Sequence, residues 1–249
     1  SFYMPKRTRN IYDPTSKEPF KLSRSRLERF LKCPCCFYLD RRLGVDQVSG
    51  PAFTLNSATD TLLKKEFDVC RARGKPHPLM KKYKIDAVPF QHENMDVWRE
   101  NFKGVQYLHE PTNLLITGAV DDIWVDPMGK ILVVDYKSTS TTKEIDINDG
   151  TPWKDAYKRQ MEIYQWLLEM NGFDVSDTGY WVYVNADTGQ AGFNGKLVFD
   201  EQIISHKGDR SWVEKAIIDA HKCLKSKKPP KCSPECEWCA YREAAHTVL

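Results

Sequence analysis

Two aspartates and a lysine, Asp121, Asp135 and Lys137, stand in a stretch otherwise rich in Val, Ile and Leu. From Leu114 to Ser138 the chain reads as two β-rich runs, Leu-Leu-Ile-Thr-Gly-Ala-Val-Asp-Asp-Ile-Trp-Val and Ile-Leu-Val-Val-Asp-Tyr-Lys, joined by Asp126-Pro127-Met128-Gly129-Lys130. Pro127-Met128-Gly129 suits a three-residue hairpin loop, with proline fixing the first turn position and glycine free to turn left-handed at the third. Asp126 then faces Lys130. Counting back along both strands sets Asp121 opposite Asp135, where opposed Cβ atoms lie roughly 5 Å apart. A one-residue bulge at Gly129 would bring Asp122 opposite Asp135 instead.

Like charges opposed across two strands destabilise the pair, so this register calls for a cation, and a divalent metal supplies it. Lys137 lies two residues beyond Asp135 and projects from the same face, near enough to hold a water or a phosphate oxygen beside that metal. These are the parts that phosphodiester hydrolysis requires. An isolated Asp-x-Lys is equally an ordinary surface ion pair, so the surrounding residues carry the weight.

Those residues resemble the RecB-like branch of the PD-(D/E)XK nucleases, which includes the CRISPR-associated RecB-like exonucleases. Gly118-Ala-Val-Asp121 is similar to that branch's Gly-x-hydrophobic-Asp motif, Asp135-Tyr-Lys137 to its Asp/Glu-x-Lys motif, and Gln160-Met-Glu-Ile-Tyr164 to its Gln-x-x-x-Tyr motif. Residues four apart share a helix face, so Gln160 and Tyr164 can point an amide and a phenol at one site and orient the lysine or the substrate. The resemblance implies that Asp121, Asp135 and the backbone carbonyl of Tyr136 hold Mg²⁺ or Mn²⁺. It departs from the family on the preceding helix, where Asp60 stands in place of the usual histidine. An aspartate can still bind a hard cation through oxygen; Glu66, on the same helix, is a further candidate.

The eight cysteines include two Cys-x-x-Cys pairs, Cys33-Pro-Cys-Cys36 and Cys236-Glu-Trp-Cys239, which together offer the four thiolates of a zinc or iron–sulfur site. Such a site would staple the terminal segments together. The segment around Cys33 resembles the start of RecB-like nucleases that hold a 4Fe–4S cluster, which is the cofactor the resemblance implies, with Zn²⁺ as the alternative. No cysteine follows Cys239, so Cys36 or Cys232 would complete the set. Cys70 and Cys223 fall in predicted helices and read as small core residues.

Around these motifs the first twenty residues read as a polar, poorly ordered arm. Ser23 or Ser25 can cap a helix that ends at Pro34, and a second helix runs from about Asn56 to Arg73 before Gly74-Lys75-Pro76. A short helical piece is expected over 95–102, helices over 153–170 and 211–224, and strands over 179–185 and 196–203. This order suits an α/β (α+β), restriction-endonuclease-like mixed sheet flanked by helices, its N- and C-terminal segments joined by the cysteine site. The expected organisation is an arm over 1–21 and one nuclease domain over 22–249, in which 22–45 and 225–249 form the cysteine lobe.

A net charge of +3 does not identify a nucleic-acid binder. Basic clusters at Lys6-Arg7-Arg9, Arg24-Arg26-Arg29, Lys64-Lys65, Lys81-Lys82-Lys84, Lys158-Arg159 and Lys225-Lys227-Lys228 could line a backbone-binding groove, or could be solvated faces. No apolar run approaches the roughly 18 residues of a membrane span, and the Lys/Arg-rich start lacks the apolar stretch of a secretory signal, so a cytoplasmic protein with no membrane partner is expected. The expected activity is metal-dependent hydrolysis of DNA, on single-stranded ends or flaps by the resemblance. The alternatives are a nuclease-fold DNA-binding or adaptor module without efficient cleavage, and a zinc-stabilised RNA-processing protein.

Overall fold

In the computed structural model, which describes residues 6–249, the first β-rich run is broken just after Gly118. The elements in chain order are β1 (Phe20–Ser23), α1 (Arg24–Lys32), α2 (Pro34–Arg41), α3 (Thr54–Arg73), α4 (Pro78–Lys82), β2 (Val88–Pro89), α5 (Met95–Trp98), β3 (Val105–His109), β4 (Leu114–Gly118), β5 (Asp122–Val125), β6 (Ile131–Thr139), α6 (Pro152–Met170), β7 (Thr178–Ala186), β8 (Phe199–Lys207), α7 (Val213–Lys225) and α8 (Glu237–Val248). β4 and β5 therefore join different sheets. One has the order β1-β4-β3, the other β2-β5-β6-β7-β8. Both lie in a mixed α/β fold whose helices flank the strands, as the element order implied.

The chain divides into two compact units. The first gathers the described residues up to Pro51, with Gln106–Thr117 and Ser211–Leu249; the second comprises Ala52–Val105 and Gly118–Arg210. In the first unit β1 runs parallel to β4, from Phe20 opposite Leu114 to Ser23 opposite Thr117. Its core includes Leu22, Leu27, Leu114, Ile116, Ile217 and Leu224, all fully buried. Ser23 precedes α1 without a side-chain capping bond, and Pro34 opens α2 rather than only closing α1, because proline suits the first helical position.

The polar segment before β1 is not loose from Arg7 onward. The Arg7 amide donates to the Gly44 carbonyl at 3.0 Å, and its guanidinium lies 2.9 Å from the buried carboxylate of Asp40. Arg26 and Arg41 each stand 2.9 Å from the same carboxylate, and Arg29 pairs with Asp46. The basic clusters read at both places as possible groove residues thus include three arginines engaged by two aspartates.

In the second unit β6 is the central strand. It pairs antiparallel with β5 and parallel with β7, and α6 provides the crossover that a parallel pair needs. Strand alternation sorts β5 and β6 into two sets. Trp124, Leu132, Val134 and Tyr136 pack with Leu63 and Phe67 of α3, where the Phe67 ring centroid lies 5.6 Å from Trp124 and 5.7 Å from Tyr136. Asp121, Val133, Asp135 and Lys137 have the opposite parity. Helix α3 ends at Gly74, whose φ of +62° is a left-handed cap. The strand read over 196–203 lies later, as β8, because its ladder with β7 runs from Phe199 opposite Ala186 to Lys207 opposite Thr178.

Candidate active site and thiolate centre

The hairpin takes the register that its loop chemistry implies. Asp122 pairs with Val134 and Val125 with Ile131, which continues to Asp121 opposite Asp135 and Asp126 opposite Lys130. The Asp126 amide donates to the Lys130 carbonyl at 2.9 Å, the Gly129 amide donates to the Asp126 carbonyl at 3.0 Å, and Gly129 has φ +84°, so the three-residue loop closes through a left-handed glycine and the register is not shifted. The Asp126 carboxylate accepts from the Met128 and Lys130 amides, each at 2.9 Å.

Parity then separates the adjacent aspartates. Asp122 faces α3 and is fully buried. It accepts from Tyr136 Oη at 2.7 Å and Trp124 Nε1 at 3.3 Å, and it pairs with the Arg71 and Arg99 guanidiniums at 2.5 and 3.3 Å. Those partners consume it. Asp121 faces the other way, one oxygen accepting from the Tyr136 amide at 2.9 Å. In a strand the carbonyl projects to the same edge as the amide of the same residue, so the Tyr136 carbonyl is directed toward the Asp121 side.

Burial, followed by the charge of Asp135, pushes the Asp121 carboxyl up to about 7. Asp135 is buried, and its Oδ2 has the Lys137 ammonium 2.6 Å away but no directed hydrogen bond. Burial lowers the basicity of Lys137, but Asp135 and Asp121 outweigh it and hold the ammonium above its ordinary value. Lys137 Nζ also donates to Gln160 Oε1 at 3.1 Å, and Gln160 Nε2 donates to Tyr164 Oη at 3.0 Å. The glutamine and tyrosine of α6 thus form a relay that fixes the lysine. Tyr164 is itself seated against Gly118, where an added Cβ would stand 2.8 Å from a ring carbon.

Asp60 lies at the edge of this group, raised above the ordinary carboxylate range by burial and by the charge of Asp121. Glu66 does not join it, pairing instead with His77 at 3.1 Å on the surface. Two further residues, Tyr157 and Tyr183, were missed by sequence reasoning, and Lys64, read only as part of a basic cluster, belongs here too. Lys64 Nζ lies 2.8 Å from Asp60 and 3.7 Å from Asp121. The Lys137 ammonium stands 4.1 Å over the Tyr157 ring, a cation–π contact. Tyr183, opposite Lys137 on β7, is buried, which pushes its phenol up to about 12. Only the four-residue spacing of Asp60 and Lys64 was available as a signal.

The donor set, carboxylate oxygens with a backbone carbonyl at their edge, fits a hard divalent cation. An opposed pair of carboxylates, one already driven toward protonation, is the disagreement that such an ion resolves. Among the described residues, the groups whose ligand atoms all lie within 4.8 Å of one another are thiols rather than carboxylates.

The first of these is Cys33, Cys36, Cys236 and Cys239, the quartet that the spacing singled out. Sulfur separations are 3.6 Å for Cys33–Cys239, 3.5 Å for Cys36–Cys236 and 3.6 Å for Cys36–Cys239. The thiols share their protons unevenly: burial tends to raise Cys33, but amides of Ser233 and Cys36 and the neighbouring thiols outweigh it and lower that thiol, whereas burial and neighbouring thiols raise Cys36 and Cys239. The four could hold a metal. Cys232 lies outside the quartet, beside Cys35.

A model of the PD-(D/E)XK nuclease superfamily matches residues 59–244, three-quarters of the sequence, and the chain belongs to that superfamily. Its members are generally nucleases that use divalent metals. The crystal structure of SSO0001 is similar over 94% of this chain and 89% of that one, at 16% identity and a TM-score of 0.37, a likeness too slight to carry an argument. A search of curated proteins found no match. No helix of the described residues is long and apolar enough to cross a membrane.

Proposed function

We propose that the chain is a RecB-like, Mg²⁺- or Mn²⁺-dependent deoxyribonuclease that hydrolyses phosphodiester bonds at single-stranded ends or flaps. One observation carries the reading: Asp121, one residue before the last ladder pair of the hairpin, feels the charge of Asp135 and accepts from the Tyr136 amide, while Lys137 pairs with Asp135 and is held by Gln160. Asp121, Asp135 and the Tyr136 carbonyl would hold the cation, with Asp60 at its edge. When bound, the ion supplies Lewis acidity toward a phosphate oxygen and toward the attacking water.

The remaining work belongs to the protein. Lys137 keeps its proton, because two carboxylates stabilise the ammonium, and it offers that charge to the scissile phosphate as negative charge builds there. Gln160 fixes the direction of the ammonium, Tyr164 fixes the amide of Gln160, and the Tyr157 face limits where the ammonium can go. The preference for single-stranded ends or flaps rests on the family resemblance.

The cysteine quartet is read as a structural metal centre. The three sulfur separations of 3.5 to 3.6 Å are close to the roughly 3.8 Å edge of a tetrahedron with Zn–S bonds of about 2.3 Å, which supports one Zn²⁺ over the 4Fe–4S cluster of the resemblance. A cysteine metal site, rather than a disulfide framework, suits a cytoplasmic protein. A second reading, a nuclease-fold DNA-binding module that cleaves poorly, draws support from Lys64, whose ammonium already partly neutralises Asp60 and Asp121.

Incubation with end-labelled single- and double-stranded DNA and matched RNA, with Mg²⁺ or Mn²⁺, tests the proposal. Cleavage of DNA that disappears in Lys137→Ala and with EDTA is the expected result. Binding without cleavage under either metal favours the second reading, and preferential cleavage of RNA overturns the substrate assignment.

A further inference from the structure

Two cysteines beside the quartet are not needed by it. Cys35, buried in α2, has its sulfur 3.4 Å from that of Cys232, which is exposed ahead of α8. The Arg242 guanidinium reaches both, 3.5 Å from Cys35 and 3.4 Å from Cys232, and also lies 3.5 Å from Cys239. Cys35, Cys232 and Cys239 all fall within 4.8 Å of one another, a spacing that alone would suit a second thiophilic ion. Arg242 argues against one. Its positive charge already stands at that place, and Cys239 belongs to the quartet.

We propose that Cys35 and Cys232 form a peroxide-responsive dithiol that closes to a disulfide while the quartet keeps its metal. Cys232 is the sulfur that solvent reaches, so it is the one that meets a peroxide first, and Cys35 lies 3.4 Å behind it. That sulfur takes one peroxide oxygen as the O–O bond breaks, leaving a sulfenic acid and a hydroxide that gains a proton from solvent. The Cys35 sulfur then attacks the Cys232 sulfur. The S–S bond forms, the S–O bond breaks, and the oxygen leaves as water with the proton of the Cys35 thiol. Two thiols lose two electrons, and one hydrogen peroxide becomes two waters. The sulfurs must close from 3.4 Å to a bond of about 2.05 Å, a modest side-chain movement. A metal held by Cys33, Cys36, Cys236 and Cys239 would withhold those sulfurs from the same chemistry.

The product is a covalent bond between α2 and the segment before α8 that survives loss of the metal. This inference uses the quartet as a metal centre and is independent of the nuclease reading. Its test begins with the metal content of the purified protein, so that a metal-free preparation exposes a failure of the quartet reading separately.

The metal-loaded protein is titrated with hydrogen peroxide and followed by intact mass, metal release and fragmentation of the linked peptides. The expected result is loss of two hydrogens, reversed by a dithiol reductant, with metal retained, and absent from both Cys35→Ser and Cys232→Ser. Cys232 is exposed, so Cys232→Ser decides the matter even if Cys35→Ser fails to fold. Mass loss that persists in Cys232→Ser overturns the proposal. So does metal release in step with oxidation, oxygen addition without disulfide, or no reaction.

Discussion

Lys64 stands 3.7 Å from Asp121, so a side-chain cation occupies the edge of the carboxylate group that a divalent ion would neutralise. Its stronger partner is Asp60, one helical turn earlier at 2.8 Å. Lysine and metal therefore compete for the same negative charge. Lys64→Met is expected to tighten Mn²⁺ binding by up to about fivefold, the equivalent of the roughly 1 kcal/mol of a partly exposed ion pair. Calorimetric titration of the metal checks this, and unchanged or weaker binding contradicts it.

The adjacent aspartates should behave oppositely on substitution. Asp122→Asn leaves the Arg71 and Arg99 guanidiniums without their buried charge partner, and breaking a pair of that kind costs about 3–5 kcal/mol. Asp121→Asn should keep the fold and abolish metal-dependent cleavage. Denaturant unfolding and cleavage assays on the two variants give the comparison.

The raised Asp121 carboxyl makes the metal-free protein sensitive to pH in a defined direction. Between an unfolded-state value of about 4 and the folded value of about 7, the folded protein binds the extra proton. Stability contributed by this group is thus complete below the lower value and is lost as pH rises to about 7, by at most about 1.4 kcal/mol per pH unit. Asp121→Asn lacks that slope, so the variant should gain on the wild type from pH about 4 to about 7 and hold a constant lead above. The affinity for Mn²⁺ should rise over the same window, since the ion displaces the proton.

A methyl group at Gly118 should reach the chemistry through Tyr164. Its Cβ would meet the ring 2.8 Å away, and Tyr164 holds Gln160, which holds Lys137. Misplacement of a reacting group by about 1 Å can cost on the order of 100-fold in rate. Gly118→Ala is therefore expected to lower kcat by ten- to about 100-fold with little change in DNA affinity, measured by single-turnover cleavage and by binding under EDTA.

Elemental analysis of the purified protein should find one zinc per chain and no visible charge-transfer absorption. Iron with sulfide would instead restore the cluster implied by resemblance.

The hairpin was legible because its register depends on local chemistry, the proline and glycine of the loop and a period of two. The helix carrying Gln160 and Tyr164 was legible for the same kind of reason, as was the quartet, since Cys-x-x-Cys spacing is a property of nearby residues. The break after Gly118 was not, because it follows from which strands β4 and β5 pair with, β1 and β3 in one sheet and β2 and β6 in the other. Nor was the start of α2 at Pro34, where a residue that ends one helix also begins another. Arg7, Arg26 and Arg29 looked like groove residues until Asp40 and Asp46 accounted for them. Long-range partners of charged side chains leave no periodic trace.

The thiolate centre also bears on residues that it never touches. Cys33 and Cys239 are 206 positions apart, so a metal shared between them closes a loop containing nearly the whole chain, including every segment of the second unit. Closing a loop of that length removes conformational entropy from the unfolded ensemble worth about 5 kcal/mol in the chain-entropy model. Stripping the metal should accordingly lower the melting temperature reported by the Phe67–Trp124 core, even though those rings lie in the other unit. A metal held there would stabilise the second unit by restricting what the chain can do when unfolded.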